Sequence, residues 1–302
     1  MSNSWWEINI ICDPRLEESI FWRLESFGCS GTAREIKEDS YLIKAYIPVI
    51  KATEESLTKL ANHLQTDAKN LNLSSPQVKW QTIAEEDWGN SWKKHWQPTP
   101  IGDSLIVYPA WLSPPANSER TILRLDPGVA FGTGVHPTTQ LCIESLEMRL
   151  KAQTLNHPVT IADIGCGSGI LSIAALLLGA DKAYAVDTDP LAVKAAQENS
   201  QLNDISPERL IINQGSVDWF TDEIIAAGLD GIVCNILAEV ILEIIPWMSV
   251  VAKANTWGIL SGITVEQAEK VYSALEEHGW IVATVWKRGQ WCCFNIRQNE
   301  NF

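Results

Sequence analysis

The stretch IADIGCGSGILS, Ile161–Ser172, reads as a short apolar strand, a turn carrying three glycines, and the start of a helix. A second element, AYAVDTDPLAVKAA, follows it and places Asp187 at the end of its own strand. A strand, a glycine turn and a helix, followed by a strand closed by a carboxylate, describe a doubly wound α/β domain built to hold a nucleoside-bearing cofactor. Dinucleotide folds share the glycine loop, so the rest of the chain has to decide between cofactors.

Outward from this unit the pattern alternates. Strands are expected at 159–163, 182–187, 209–213, 229–234, 255–260, 280–287 and 291–296, and helices at 169–178, 190–202, 219–226, 237–245 and 265–278. KRGQ joins the last two strands as a hairpin turn. Five mostly parallel strands followed by an antiparallel pair do not make two mirrored dinucleotide-binding halves. They fit a seven-stranded, Rossmann-like class I methyltransferase sheet, and hence S-adenosylmethionine as cofactor. Asp163 argues the same way. A carboxylate at the mouth of the loop repels a pyrophosphate and suits the cationic methionyl end of S-adenosylmethionine, directly or through a water or backbone amide.

In open α/β sheets the ligand lies beyond the carboxyl ends of the strands. Asp163, Asp187 and Asn235 each end or directly follow an expected strand, so all three should line one crevice. Gly165 and Gly167 clear space for a ribose or a methionine tail. Asp187 is placed to accept both ribose hydroxyl protons, a role that suits NAD equally, whereas Asp189 before Pro190 reads as a helix cap. Asn235 opens NILAEVI. Its side-chain oxygen is suited to accept a hydrogen bond from an attacking amine, although an N-cap for the following helix is the other reading. Upstream, LDPGVAFGTGVHPTTQLC (125–142) carries three glycines within seven residues and ends at the start of a helix over 138–151. Phe131 should cover the methionyl part of the cofactor and Thr133 should hydrogen-bond its carboxylate or amine. His136 is either a base or a holder of local structure.

The first third of the chain follows a different order. A strand at 5–11, a helix at 14–27, strands near 31–37 and 40–47, a helix at 54–69 and a strand at 78–83 give β-α-β-β-α-β, a ferredoxin-like α+β unit. In EEDWGNSWKKHW (85–96), Trp88, Trp92 and Trp96 share a helix face, which either docks a linker helix or forms a lid. The expected organisation is a ferredoxin-like substrate-recognition domain at 1–84, a linker helix and hinge at 85–100, and the catalytic domain at 101–302.

Composition sets outer bounds. The chain has 302 residues, 46% of them apolar, and a net charge of −14. That charge argues against wrapping a nucleic-acid backbone and permits a basic protein partner. Seven scattered cysteines, none in a CxxC pair, and five histidines make no zinc pattern, so no metal is expected. The absence of a signal-like start or a membrane-length apolar run leads to an expected cytoplasmic location.

With these residues in hand, the chain resembles the ribosomal protein L-eleven methyltransferase family (PrmA) over nearly its whole length. The strings that carry the likeness are EEDWGNSWKKHW at 85–96, LDPGVAFGTGVHPTTQLC at 125–142, DIGCGSGILSIAALLLGA at 163–180, VDTDPLAVKAAQEN at 186–199, NILAEVI at 235–241 and LSGI at 260–263. The combination of FGTGVHPTT with NILA is the specific part. The resemblance implies methyl transfer from S-adenosylmethionine to lysine side chains and the N-terminal amine of a large-subunit ribosomal protein, up to trimethylation. It implies cofactor contacts at Thr133, Gly165, Asp187 and Asn235, substrate recognition by the N-terminal domain, and a linker that swings different amines into one site. GQWCCF at 289–294 and Thr264 depart from the family's usual pattern without removing a proposed contact. The competing readings are a methyltransferase for another protein or a small amine, a dinucleotide dehydrogenase, and a non-catalytic binding module.

Overall fold

A computed structural model describes residues 4–37, 40–71, 73–84, 96–126, 132–152 and 157–299. The chain divides into two units, Met1–Gln97 and Pro98–Phe302. Of the linker helix expected at 85–96, residues 85–95 lie outside the described residues, and Trp96 is buried outside any helix.

In the N-terminal unit the elements run β1 (Ser4–Cys12), α1 (Glu17–Ser26), β2 (Ser30–Lys37), β3 (Ser40–Pro48), α2 (Glu54–Asn70) and β4 (Gln77–Ala84). The strands form one antiparallel sheet in the order β2-β3-β1-β4. Alternation in β1 sends Trp6, Ile8, Ile10 and Cys12 to one face, where they join Ile43, Ala45 and Ile47 of β3. Leu57, Leu60 and Leu64 of α2 and Ile20 and Leu24 of α1 cover that face. Thr53 and Ser56 close a capping box at the start of α2. Arg23 grips both oxygens of Asp67 at 2.8 Å, tying α1 to α2.

The C-terminal unit opens with a small sheet of β5 (Thr99–Ile101), β6 (Leu105–Pro109) and β7 (Thr121–Leu125), followed by α3 (Pro137–Ala152). Then come β8 (Thr160–Ile164), α4 (Ile170–Leu177), β9 (Lys182–Asp187), α5 (Pro190–Leu202), β10 (Leu210–Gln214), α6 (Asp222–Ala227) and β11 (Leu229–Asn235). The chain continues through α7 (Ala238–Val251), β12 (Ala252–Thr264), α8 (Ala268–Glu277), β13 (Trp280–Arg288) and β14 (Trp291–Gln298). Seven strands make one Rossmann-like sheet in the order β10-β9-β8-β11-β12-β14-β13. Neighbours from β10 to β12 are parallel, and β14 inserts antiparallel between β12 and β13. The connection direction reverses between β8 and β11, which opens a crevice at their carboxyl ends.

Several elements differ from the sequence expectation: the strand expected at 255–260 runs Ala252–Thr264, and the helix expected at 14–27 opens as a 3-10 turn, Pro14–Leu16, before α1. The helix expected at 237–245 runs on through Pro246 to Val251. Pro246 is exposed, so its ring meets no core neighbour, while Met248 and Val251 gain burial by continuing the turn. The helix expected at 219–226 splits into a 3-10 turn, Val217–Trp219, and α6. Phe220 stands between them, packed on Trp219 and Trp247, and takes an extended backbone. The short strand β5 was not legible from composition, because Pro100 interrupts any pattern in TPI. Among the described residues no helix is long and apolar enough to cross a membrane.

Candidate active site

The loop after β8 is pinned from below. Gly165 and Cys166 donate their N–H groups to the Val186 carbonyl at 2.8 and 3.0 Å, holding the glycine turn on the end of β9. Gly165 has φ +74, and a Cβ there would lie 2.3 Å from Ile236 Cγ2. The missing side chain therefore makes room for Ile236, a neighbour within the protein, where the sequence reading gave that space to the ligand. Ile236 is held from the other side as well: a Cβ on Gly262 would meet its carbonyl oxygen at 2.1 Å. The turns that follow β8 and β11 and the irregularity at Gly262 within β12 thus converge on one residue.

Asp187, at the end of β9, is half-buried. Its Oδ2 accepts from Gly167 N at 2.8 Å and its Oδ1 from Asp189 N at 3.0 Å. Each oxygen keeps a further lone pair, so a pair of vicinal hydroxyls can still donate to this carboxylate. Asp189 accepts from Leu191 N and caps α5.

Asp163 is fully buried at the end of β8. Ser172 of α4 donates to its Oδ2 through both the backbone N–H at 3.0 Å and the hydroxyl at 2.6 Å. Its Oδ1 is buried without a partner. Burial pushes this carboxyl up to about 6, against the opposing pull of the Ser172 hydrogen bonds. Part of the role expected at the loop mouth is thus spent on anchoring α4.

Asn235, at the end of β11, donates through Nδ2 to Thr139 Oγ1 at 3.4 Å, and its Oδ1 is a buried acceptor with no partner. The N-cap of α7 is Leu237, with no side-chain cap, so capping does not occupy Asn235. Two orphan acceptors therefore stand on the two strands that flank the reversal. No Lys or Arg among the described residues pairs with Asp163, Asp187 or Asn235. This donor-poor, acceptor-rich site fits a hydroxyl-bearing, cationic cofactor and an amine nucleophile.

Thr133 lies half-buried on the segment leading to α3, and Phe131 falls outside the described residues. Ser168 Oγ donates to the Gly132 carbonyl at 2.7 Å, bringing that segment onto the glycine turn. His136 Nδ1 accepts from Thr138 N at 3.3 Å and lies 2.7 Å from Thr138 Oγ1. An N–H can only donate, so Nδ1 carries the lone pair and is already engaged. Burial lowers the His136 imidazole to about 4. The geometry favours the local-structure reading of His136 over the base. Ser172, Thr139, Ser168 and Asn199, whose side chains build this site, were not singled out from sequence.

The profile of the family described as ribosomal protein L11 methyltransferase (PrmA) matches residues 4–299. The chain belongs to that family. Proteins named ribosomal protein L11 methyltransferase from Cyanothece sp. and Thermosynechococcus vestitus are 50% and 48% identical to it, over 99% and 98% of this chain and 100% and 98% of theirs. A crystal structure of ribosomal protein L11 methylase from Lactobacillus delbrueckii subsp. bulgaricus is 32% identical, covers 68% of this chain and 100% of that one, and aligns with a TM-score of 0.56. The seven-stranded sheet is accordingly that of the class I methyltransferases, and family membership makes the chain a methyltransferase.

Proposed function

We propose that this protein transfers methyl groups from S-adenosylmethionine to lysine side chains and the N-terminal amine of ribosomal protein L11, reaching the trimethylated state. The single observation that carries the chemical part is Asn235 Oδ1, a buried acceptor without a partner at the carboxyl end of β11, beside the strand reversal. S-adenosylmethionine would supply a methyl group activated on a sulfonium: the bond from a neutral amine nitrogen to the methyl carbon would form as the carbon–sulfur bond breaks, with the thioether as leaving group.

In this reading Asp187 holds the ribose hydroxyls, and Gly165 and Gly167 form the turn beneath them. Thr133 and Phe131 meet the methionyl end, and Asp163 adds negative potential near its cationic portion. Asn235 accepts a hydrogen bond from the incoming amine and aims its lone pair. Fixing that alignment is worth several kcal/mol, on the order of what positioning supplies in other displacements. A lysine amine with a pKa of about 10.4 must arrive neutral, and the apolar surroundings of Ile236 and Leu237 disfavour its charged form. No side chain is assigned as a dedicated base; water carries the protons away.

The strand order β2-β3-β1-β4 with two helices on one face supports a ferredoxin-like reading of the N-terminal unit. We assign it to substrate recognition, with the linker ending at Gln97 and the catalytic domain starting at Pro98, just before β5 begins to pair and three residues before the expected 101. The net charge of −14 favours encounter with a basic protein over a nucleic acid, and the cytoplasm is the expected compartment.

The test is transfer from labelled S-adenosylmethionine to purified ribosomal protein L11 and to small amines, followed by intact mass and peptide mapping. Mass additions of three methyl groups at amines of L11 are expected. Equal labelling of small amines, or none of L11, overturns the assignment.

A further inference from the structure

The two residues that border 127–131 are both tied to the cofactor side of the crevice. On one side, Asp126 N donates to Asn199 Oδ1 at 2.8 Å. On the other, the Ser168 hydroxyl donates to the Gly132 carbonyl at 2.7 Å. Asn199 joins the two anchors, since its Nδ2 donates to the Ser168 carbonyl at 2.9 Å. Ser168 and Asn199 are both fully buried. Just past the end of α5, Asn203 donates to the Asn199 carbonyl at 2.8 Å and to the Arg124 carbonyl at 2.7 Å, and accepts from Arg124 N at 2.8 Å. Gly132 has φ +101, and a Cβ there would lie 2.7 Å from Ser168 Oγ, so the approach requires glycine.

We propose that Ser168 is a positioning residue for methyl transfer: its hydroxyl on Gly132 sets the backbone that presents Thr133 to the methionyl end of S-adenosylmethionine, and Asn199 holds Ser168 in place. The proposal rests on the cofactor reading given above. Its physical basis is preorganisation. Gly132, which directly precedes Thr133, is held by a buried hydroxyl before ligand arrives, so binding does not have to order that peptide. Removing the hydroxyl leaves a buried carbonyl unpaired, and the cost falls on the one residue next to it.

The experiment titrates the full-length wild type and Ser168→Ala by calorimetry with two ligands. One is S-adenosylmethionine; the other is methylthioadenosine, which keeps the nucleoside and lacks the amino-acid tail. Affinity for S-adenosylmethionine should fall about tenfold, while that for methylthioadenosine stays unchanged. A merely structural serine would lower both together. Ser168→Cys, with a weaker donor of similar shape, should fall between the two and carries the same comparison if the alanine variant does not fold. Parallel losses for both ligands, or no loss for either, overturn the proposal. A wild type that binds neither ligand overturns the cofactor reading and this proposal with it. That result is distinct from wild-type binding that the substitution leaves untouched.

Discussion

Ser172 places two donors on one oxygen of Asp163, its backbone N–H at 3.0 Å and its hydroxyl at 2.6 Å, while the other oxygen is buried without a partner. The carboxyl stands at about 6, above its ordinary value of 3.8, because burial outweighs those bonds. Folded protein therefore binds this proton more tightly than unfolded chain does. The stabilisation is present below the unfolded value and is lost as pH rises through about 6. Asp163→Asn removes the titration. Its stability relative to wild type should rise by up to about 3 kcal/mol between pH 4 and pH 7, measured by urea unfolding across that range. Parallel pH curves for the two proteins would contradict the raised value.

Asn235→Ala should lower methyl transfer in single turnovers by about a hundredfold, with cofactor affinity changed far less. The fold should survive, since Asn235 caps no helix. An unaltered transfer rate at saturating cofactor would remove Asn235 from the amine site.

Asp187→Ala loses the acceptor for two ribose hydroxyls and for Gly167 N at once. Two charge-assisted bonds are worth roughly 3 kcal/mol or more together. Calorimetric affinity for S-adenosylmethionine should accordingly drop by at least about a hundredfold. Retained affinity would move the ribose elsewhere.

Gly165→Ala drives a Cβ into Ile236 Cγ2, the residue after Asn235, and strains a backbone at φ +74. Transfer should fall sharply. Pairing it with Ile236→Ala removes the clash but leaves the backbone strain, worth about 1 kcal/mol, so the double variant should recover part of the rate. Strictly additive losses would show that the two positions do not communicate.

His136 remains neutral from about pH 5 upward, because burial lowers it to about 4. Its depressed value adds stability that is lost as pH falls from the unfolded histidine range, near 6.5, towards 4. The pH profile of transfer should carry no inflection from this residue. His136→Asn should leave the profile's shape intact while lowering thermal stability. Loss of an inflection near neutrality in that variant would restore His136 as a base.

The parallel half of the sheet was legible because β8, β9 and β11 are short, apolar and closed by polar residues: Asp163 is next to last in β8, and Asp187 and Asn235 end β9 and β11. What escaped was tertiary. Pro246 looks like a stop in any one-dimensional pattern, and only its exposed position lets α7 continue. Asn199 reads as one more polar residue in a helix, yet it is fully buried and bonds two loops that lie far from it in sequence. The glycine at 165 announced a close approach, but its periodicity and spacing could not say that the approaching group was Ile236.

Ile236 links the donor half of the crevice to the acceptor half: its side chain fills the space beside Gly165, and its backbone lies against Gly262. A smaller residue at 236 can then make room for drift at 165, whereas Gly262 faces backbone and tolerates no side chain whatever stands at 236. Efforts to redirect this scaffold toward bulkier nucleophiles will have to redesign the trio as a block.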